Sequence, residues 1–279
     1  MGSSPDRTDR TRVTAGAEMR FGFGRNWEDF LKKHFSEERV ETSRRHLLDF
    51  LGVTDLKGHS FLDIGCGSGI HSLAAFRSGA DSIFAFDYDQ NSVNACQRCH
   101  EYAGKPLNWT IAQGSVLDPS FMKDRVPEAS IVYSWGVLHH TGDVWGAVRS
   151  AASKVASGGL FYIALYSADA DVQPSPEFWL DVKQRYNRAG WLGRQAMVFW
   201  YMWRFMGVLA VWRRLRRDNG VRGMSLIIDI KDWLGGWPME YVRDAEVLRV
   251  CGELGLTHLR TKTGEACHEY LFRRTTPAS

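Results

Sequence analysis

Short apolar runs bounded by turn residues recur between Phe61 and Tyr166, and amphipathic stretches separate them. Runs of this length, joined by segments long enough to form helices, predict a parallel sheet covered by helices on both faces. The strands fall at Phe61–Ile64, Ser82–Phe86, a third ending near Ala112–Val116, Ile131–Ser134, and Gly159–Tyr166 after a Gly-Gly turn. Upstream, helices are expected through Phe30-Leu31 and over Glu41–Leu51. Downstream, Asp244 caps a helix to Leu254, and Leu256–Thr261 with His268–Arg273 ends the pattern as an antiparallel hairpin.

The span Ser167–Arg243 breaks this rhythm and holds seven of the eleven tryptophans, so it reads as an elaborated substrate region. Ser175-Pro176-Glu177 starts a helix that Gly190 stops. A second helix is expected from Leu192 to Arg217, and from Met197 to Trp212 it is apolar on every face apart from Arg204. Ile227–Tyr241 mixes carboxylates, indoles and paired glycines, as a loop wall of a binding site or a plain turn between packed elements would. The chain thus divides into a polar, disordered leader (1–19), N-terminal helices over the site (20–58), a core (59–166), a helical cap (167–243) and a closing helix and hairpin (244–274).

Chemistry concentrates where the first strand breaks. Phe61-Leu62-Asp63-Ile64-Gly65-Cys66-Gly67-Ser68-Gly69-Ile70-His71 runs from strand through a glycine-rich turn into a helix. Glycines there let backbone amides approach a ligand, and the free N–H groups of the next helix attract an anionic group. A dinucleotide fingerprint would place its third glycine at Ile70, whereas this chain has Gly69 and an acid, Asp63, before the first, which disfavours NAD and FAD. Asp87 ends the second strand as a carboxylate able to accept from two ribose hydroxyls.

FLDIGCGSG resembles motif I of the class I S-adenosylmethionine (SAM) methyltransferases, and the later landmarks agree with that family in order and spacing. The resemblance covers about Glu28–Tyr166 and Asp244–Arg274. It implies a Rossmann-like α/β fold with a seven-stranded, mostly parallel sheet, an aromatic-rich helical insertion between strands 5 and 6, and SAM as cofactor. By the same resemblance Asp63 faces the methionine ammonium, Gly65, Gly67 and Gly69 form the turn, and Asp87 takes the ribose. Tyr88, Ser115, Val116 and Trp135 complete the cofactor site, with adenine seated near Ala112–Val116. Phe21, Asn26 and Trp27, in the helices that similar enzymes fold over the cofactor, line the substrate side.

Composition narrows the partners. With 279 residues, 44% of them apolar, the chain can bury one α/β core with an insertion to spare. A net charge of +3 is too small for a nucleic-acid footprint. Five scattered cysteines, Cys66, Cys96, Cys99, Cys251 and Cys267, make no disulfide framework and fit a reducing cytosol. Cys96-x-x-Cys99 is half of a metal site with no second pair, so no metal is expected. The apolar helix is short for a membrane span. It reads as a lid or a subunit contact in a homodimer, or as a peripheral membrane contact in which Arg213, Arg214, Arg216 and Arg217 meet phosphates.

Methyl transfer from a sulfonium is an in-line displacement, so the protein must align the reactants, exclude water and supply a base only for an acceptor of high pKa. The base candidates are His139 and His140, which follow the fourth strand. The ubiquinone-pathway O-methyltransferases, a similar branch, carry Glu-His where this chain has His139-His140, which argues against carboxylate–metal assistance. Ser134-Trp135-Gly136-Val137 lacks the Asn-Pro-Pro-Tyr pattern used on amide and nucleobase nitrogens. A lipophilic small molecule methylated on a hydroxyl or phenol oxygen is therefore expected, held by Trp203, Met206, Trp233, Trp237 and Glu240. Methylation of nitrogen or carbon, on a small metabolite or a lipid, stays open, as does a silent SAM-binding partner protein.

Overall fold

The computed structural model describes residues 35–170, 174–206, 226–264 and 266–275, with backbone alone at 226–229 and 232. Five strands form its parallel block: β1 (Ser60–Ile64), β2 (Ser82–Asp87), β3 (Trp109–Gln113), β4 (Ala129–Trp135) and β5 (Val155–Tyr166). β6 (Leu256–Lys262) and β7 (Cys267–Arg274) form the hairpin, and β7 runs antiparallel to β5. The strand order is β3-β2-β1-β4-β5-β7-β6. Direction of travel reverses between β1 and β4, so their carboxyl ends flank the crevice in which ligands of open α/β sheets lie.

Helices cover both faces. On one, α1 (Glu37–Leu51), α2 (Ile70–Arg77) and α3 (Gln90–Tyr102) pack Leu47, Leu73 and Cys96 against Phe61, Ile83 and Tyr162. On the other, α4 (Pro119–Asp124), α5 (Val144–Ala152) and α9 (Asp244–Glu253) pack Met122, Val148 and Val250 against Leu62, Val132 and Phe161. Ser36 accepts from the Arg39 N–H to start α1, and Gly52 stops it at φ +73°, a left-handed conformation that glycine adopts without strain.

The helical insertion between β5 and β6 is a third packed unit. α6 (Pro176–Arg188), α7 (Trp191–Tyr201), a π-turn at Met202–Met206 and α8 (Leu226–Gly235) bury Trp179, Val182, Tyr186, Val198, Ile230 and Leu234 together. Its two ends meet, because Ser167 bridges Val242, the Ala168 N–H donates to the Val242 carbonyl at 2.8 Å, and the Val242 N–H donates to the Tyr166 carbonyl at 3.0 Å.

Several elements differ from the sequence reading. The expected continuous α-helix from Leu192 stops being α at Tyr201, where the ladder widens into the π-turn, and the part from Gly207 to Arg217 lies outside the described residues. Ile227–Tyr241 is no loop throughout, because its first half is α8. β5 begins at Val155, and the Gly-Gly pair lies inside it as a register shift rather than before it as a turn. A Cβ at Gly159 would stand 2.9 Å from the Ser130 carbonyl oxygen, so the neighbouring strand demands glycine there. Asp244 opens α9 without capping it; its carboxylate turns to the sheet and accepts from Ser167 Oγ at 2.6 Å, Tyr270 Oη at 2.7 Å and His268 Nδ1 at 2.9 Å. The leader, the helix through Phe30-Leu31 and the residues Phe21, Asn26 and Trp27 lie outside the described residues. So do Arg213, Arg214, Arg216 and Arg217.

Candidate active site at the carboxyl edge of the sheet

The turn after β1 is built on three left-handed glycines, Gly65 at φ +76°, Gly67 at +51° and Gly69 at +79°. Two of them are also required by contact. A Cβ on Gly65 would stand 2.4 Å from Val137 Cγ1 in the loop after β4, and one on Gly69 would stand 2.7 Å from Cys96 Cα in α3. The Gly65 and Cys66 N–H groups donate to the Phe86 carbonyl at 2.8 and 3.0 Å, which binds the turn to the end of β2.

Asp87 completes the brace. Its Oδ2 accepts from the Gly67 N–H at 3.0 Å and its Oδ1 from the Asp89 N–H at 2.9 Å. The Tyr88 backbone bonds the carboxylate as well, so what remains of its accepting capacity is left for a ribose hydroxyl. Burial pushes the Asp87 carboxyl up to about 6 against the backbone hydrogen bonds that favour its charge. Asp63 is buried under the turn and accepts from Ser72 Oγ at 2.5 Å, so it pins α2 to β1; burial outweighs that bond and raises it to about 7, with the Asp87 charge adding to the rise.

The other expected cofactor residues line the same edge. Tyr88 is exposed beside Asp87, and its carbonyl accepts from Gln113 Nε2 at 3.2 Å. After β3, the Gly114 N–H donates to the Asp87 carbonyl at 3.0 Å, Ser115 Oγ accepts from the Leu117 N–H at 3.2 Å, and Val116 is buried. Trp135 ends β4 half-buried against the face that carries α1 to α3.

His139 and His140 occupy a 3₁₀ turn after β4, their rings 4.4 Å apart, and the structure gives them opposite tautomers. His140 Nδ1 donates to the Pro238 carbonyl at 2.7 Å, which leaves the lone pair on Nε2. His139 Nδ1 accepts from the Tyr166 N–H at 3.3 Å, which leaves the proton on Nε2. His139 therefore donates and cannot serve as the base expected of it. Burial, with the Lys183 charge, lowers His140 to about 3, and burial with His140 and Lys183 holds His139 well below the ordinary histidine range. Both rings are neutral at neutral pH, and neither is a strong proton acceptor.

The insertion supplies an aromatic wall. The Tyr166 ring at the end of β5 lies 4.1 Å from His139, 5.7 Å from Trp233 and 5.6 Å from Tyr241. Lys183 is fully buried, donates to the Trp233 carbonyl and holds its ammonium 4.5 Å from the Trp233 ring. Lys183 and Tyr166 escaped the sequence reading. The signal in reach was that Lys183 shares a stripe with Trp179 and Tyr186 at helical spacing, a lysine where α6 needs an inward residue.

Three expected substrate residues are placed elsewhere. Trp203 is 63% exposed on the outer side of the π-turn, beside Phe199 at 68%. Glu240 is spent on the fold, because its Oε2 accepts from the Val144 N–H at the start of α5 at 2.9 Å. Met206 packs on the hydrophobic centre of the insertion. Trp237 is buried next to Pro238, whose carbonyl orients His140, while Trp233 joins the aromatic wall.

A glycine turn bound to an acid at the end of the neighbouring strand, at the reversal point of a 3-2-1-4-5-7-6 sheet, defines the class I SAM-dependent methyltransferase fold. The chain belongs to the methyltransferase domain family, whose model matches residues 35–216. It is 32% identical over 109 residues to a ribosomal protein L11 methyltransferase of Helicobacter hepaticus, covering 36% of this chain and 34% of that one. It is 30% identical over 133 residues to a ubiquinone biosynthesis O-methyltransferase of Methylobacterium sp., covering 45% of this chain and 48% of that one. The chain thus spans between a third and a half of the length of these curated relatives. Among solved structures, the magnesium protoporphyrin IX methyltransferase of Synechocystis PCC 6803 with bound SAH superposes with a TM-score of 0.52 at 12% identity, covering 90% of this chain and 94% of that one. The residues present suit SAM: a turn that tolerates no Cβ at Gly65 or Gly69, a carboxylate at the end of β2 for a ribose, and a buried acid below the turn. Among the described residues no helix is long and apolar enough to cross a membrane.

Proposed function

We propose that this protein transfers the methyl group of SAM to an oxygen of a lipophilic small molecule bound between the end of β4 and the aromatic wall of the insertion. The observation that carries this reading is the meeting of Tyr166, Trp233 and Tyr241 with the His139-His140 turn, which puts flat apolar surface beside the cofactor edge. The cofactor brings a methyl group on a positively charged sulfur, open to in-line attack. Asp87 and the turn amides hold its nucleoside, Asp63 faces its ammonium, and the wall excludes water and aims the acceptor. Incubation of the protein with labelled SAM and a cell extract, followed by mass spectrometry of the labelled product, tests the reading. A labelled small molecule with a new methoxy group is expected; label confined to protein, as the likeness to L11 methyltransferases would have it, or to nucleic acid, would overturn it. The cysteine usage favours a cytoplasmic setting, and the exposed Leu192, Phe199 and Trp203 side of α7 and the π-turn favours a peripheral membrane or subunit contact.

The raised carboxyls fix a sign for pH. Asp63 and Asp87 are partly protonated near neutrality, at about 7 and about 6, while a bound ammonium and diol favour their ionised forms. Binding of SAM should therefore release protons between pH 6 and 7, and affinity should fall as the pH drops through that window, by up to about tenfold per unit for each group below its own value. Calorimetry in buffers of different ionisation enthalpy reads the protons directly; an affinity constant from pH 5 to 8 would contradict the roles given to both acids. Asp87→Ala should weaken SAM binding by roughly 1.5 to 3 kcal/mol, the worth of charge-assisted bonds to the ribose.

A further inference from the structure

Of the buried polar side-chain atoms that lack a partner among the described residues, four lie in one place: His139 Nε2, Trp179 Nε1, Trp233 Nε1 and Tyr241 Oη. They surround the Tyr166 ring, directly for His139, Trp233 and Tyr241, and through Trp233 for Trp179, whose ring is 5.1 Å from it. Trp109 Nε1, in β3, and Arg274 Nε, in β7, lie away from this group.

An unsatisfied buried donor is expensive, and a group of them in one place points to a partner that arrives from outside. The chemistry of the missing partner can be read from what waits for it. An indole N–H donates only. His139 Nε2 carries the ring proton because Nδ1 is taken by the Tyr166 N–H, and His139 is fully buried. The Lys183 ammonium is enclosed among the same rings, 4.5 Å from Trp233 and 5.8 Å from Tyr166. Donors and a positive charge are therefore gathered among flat rings, and a partner that suits them has an oxygen with lone pairs, negative charge and a planar body.

We propose that the donor cluster around Tyr166 receives the ionised oxygen of an aromatic methyl acceptor, a phenolate or an aromatic carboxylate, with His139 Nε2–H, the Trp233 and Trp179 N–H groups and the Tyr241 hydroxyl as its donors and Lys183 as its counter-charge. The inference rests on the reading of the protein as an oxygen methyltransferase and gives its acceptor a charge state. An acceptor that enters ionised has no proton to lose, so the oxygen lone pair attacks the methyl carbon, the carbon–sulfur bond breaks, and its electrons return to sulfur with no side chain acting as base. Two neutral histidines beside the site suit that reaction.

Two probes of equal shape test it, 2-naphthoate and 2-naphthamide, titrated calorimetrically into protein saturated with SAH. The carboxylate should bind at least about tenfold more tightly than the amide. Trp233→Phe, which keeps an aromatic ring and loses the indole N–H, Tyr241→Phe, which loses only the hydroxyl, and Lys183→Met should each cost naphthoate roughly five- to tenfold, beyond any change they make to naphthamide. Titration of 4-nitrophenol through its own ionisation then separates recognition of a phenolate from recognition of a carboxylate. Equal binding of the two probes, binding of neither, or naphthoate affinity indifferent to all three substitutions would overturn the inference. If SAH binds in an Asp87-dependent way and the naphthoate preference is missing, this inference alone falls; if SAH does not bind, the proposed function falls with it.

Discussion

Gly69→Ala is expected to lose roughly 2 to 5 kcal/mol of stability and, with it, tight cofactor binding. The position sits at φ +79°, where a side chain costs about 1–2 kcal/mol, and its Cβ would meet Cys96 Cα at 2.7 Å. That neighbour is backbone within α3 and cannot swing aside, so about 1–3 kcal/mol of overpacking adds to the strain. α2 and α3 must then part, and the amides that open α2 lose their aim. Gly104 provides the control, because it also has a positive φ, +85°, but faces open space, so Gly104→Ala should cost only the backbone term. Urea denaturation with SAH calorimetry reads both quantities. A Gly69→Ala protein as stable as Gly104→Ala would show that the turn is looser than this contact implies.

Asp244→Ala should be nearly as damaging for a different reason. Its carboxylate accepts from Ser167 at the end of β5 and from His268 and Tyr270 in β7, while its residue starts α9, so one side chain joins three elements under the insertion. Its removal leaves a fully buried Tyr270 and a nearly buried His268 without their acceptor, a loss of roughly 2–4 kcal/mol. Burial acts to raise this carboxyl, and the hydrogen bonds from Ser167, Tyr270 and His268 outweigh it, so the group lies below the ordinary aspartate value. A lowered folded value means that the stabilisation is complete above the unfolded aspartate value near pH 4 and is lost as the pH falls through the folded one. The gap between Asp244→Ala and the parent protein in chemical denaturation should thus be widest near neutrality and narrow as the pH falls below the ordinary aspartate value. A gap that stays constant through the acid range would mean that the charge of Asp244 contributes nothing.

The parts of the molecule legible in the sequence are those in which local spacing and tertiary demand coincide. Gly65, Gly67, Gly69 and Asp87 could be assigned because a turn that admits ligand has few other compositions, and the strands showed because buried parallel strands are short apolar runs. Asp244 was readable as a helix start, yet its partners lie in β5 and β7, and they draw the side chain away from the cap. The histidine pair was visible as chemistry but not as a division of roles. Their tautomers are set by the Pro238 carbonyl, 98 positions away, and by the Tyr166 N–H, 27 positions away, which no spacing within the pair can encode. Trp203 and Glu240 fell on the wrong side of the prediction for a related reason. In an insertion that is apolar throughout, composition cannot say which indole turns inward, and an acid near a site is as useful to a helix N-terminus as to a ligand.

The paired Ser167 and Val242 backbones have a consequence for how such a protein changes over time. Everything between them departs from and returns to one point at the rim of the sheet, so segments of different length and sequence can be exchanged there without altering the register of β5 and β7 or the anchor at Asp244. Under the proposed function, chimaeras grafted at these two residues should keep the glycine turn and exchange acceptor preference as a unit, provided that the graft restores an acceptor for the Val144 N–H and for His140 where Glu240 and Pro238 now stand.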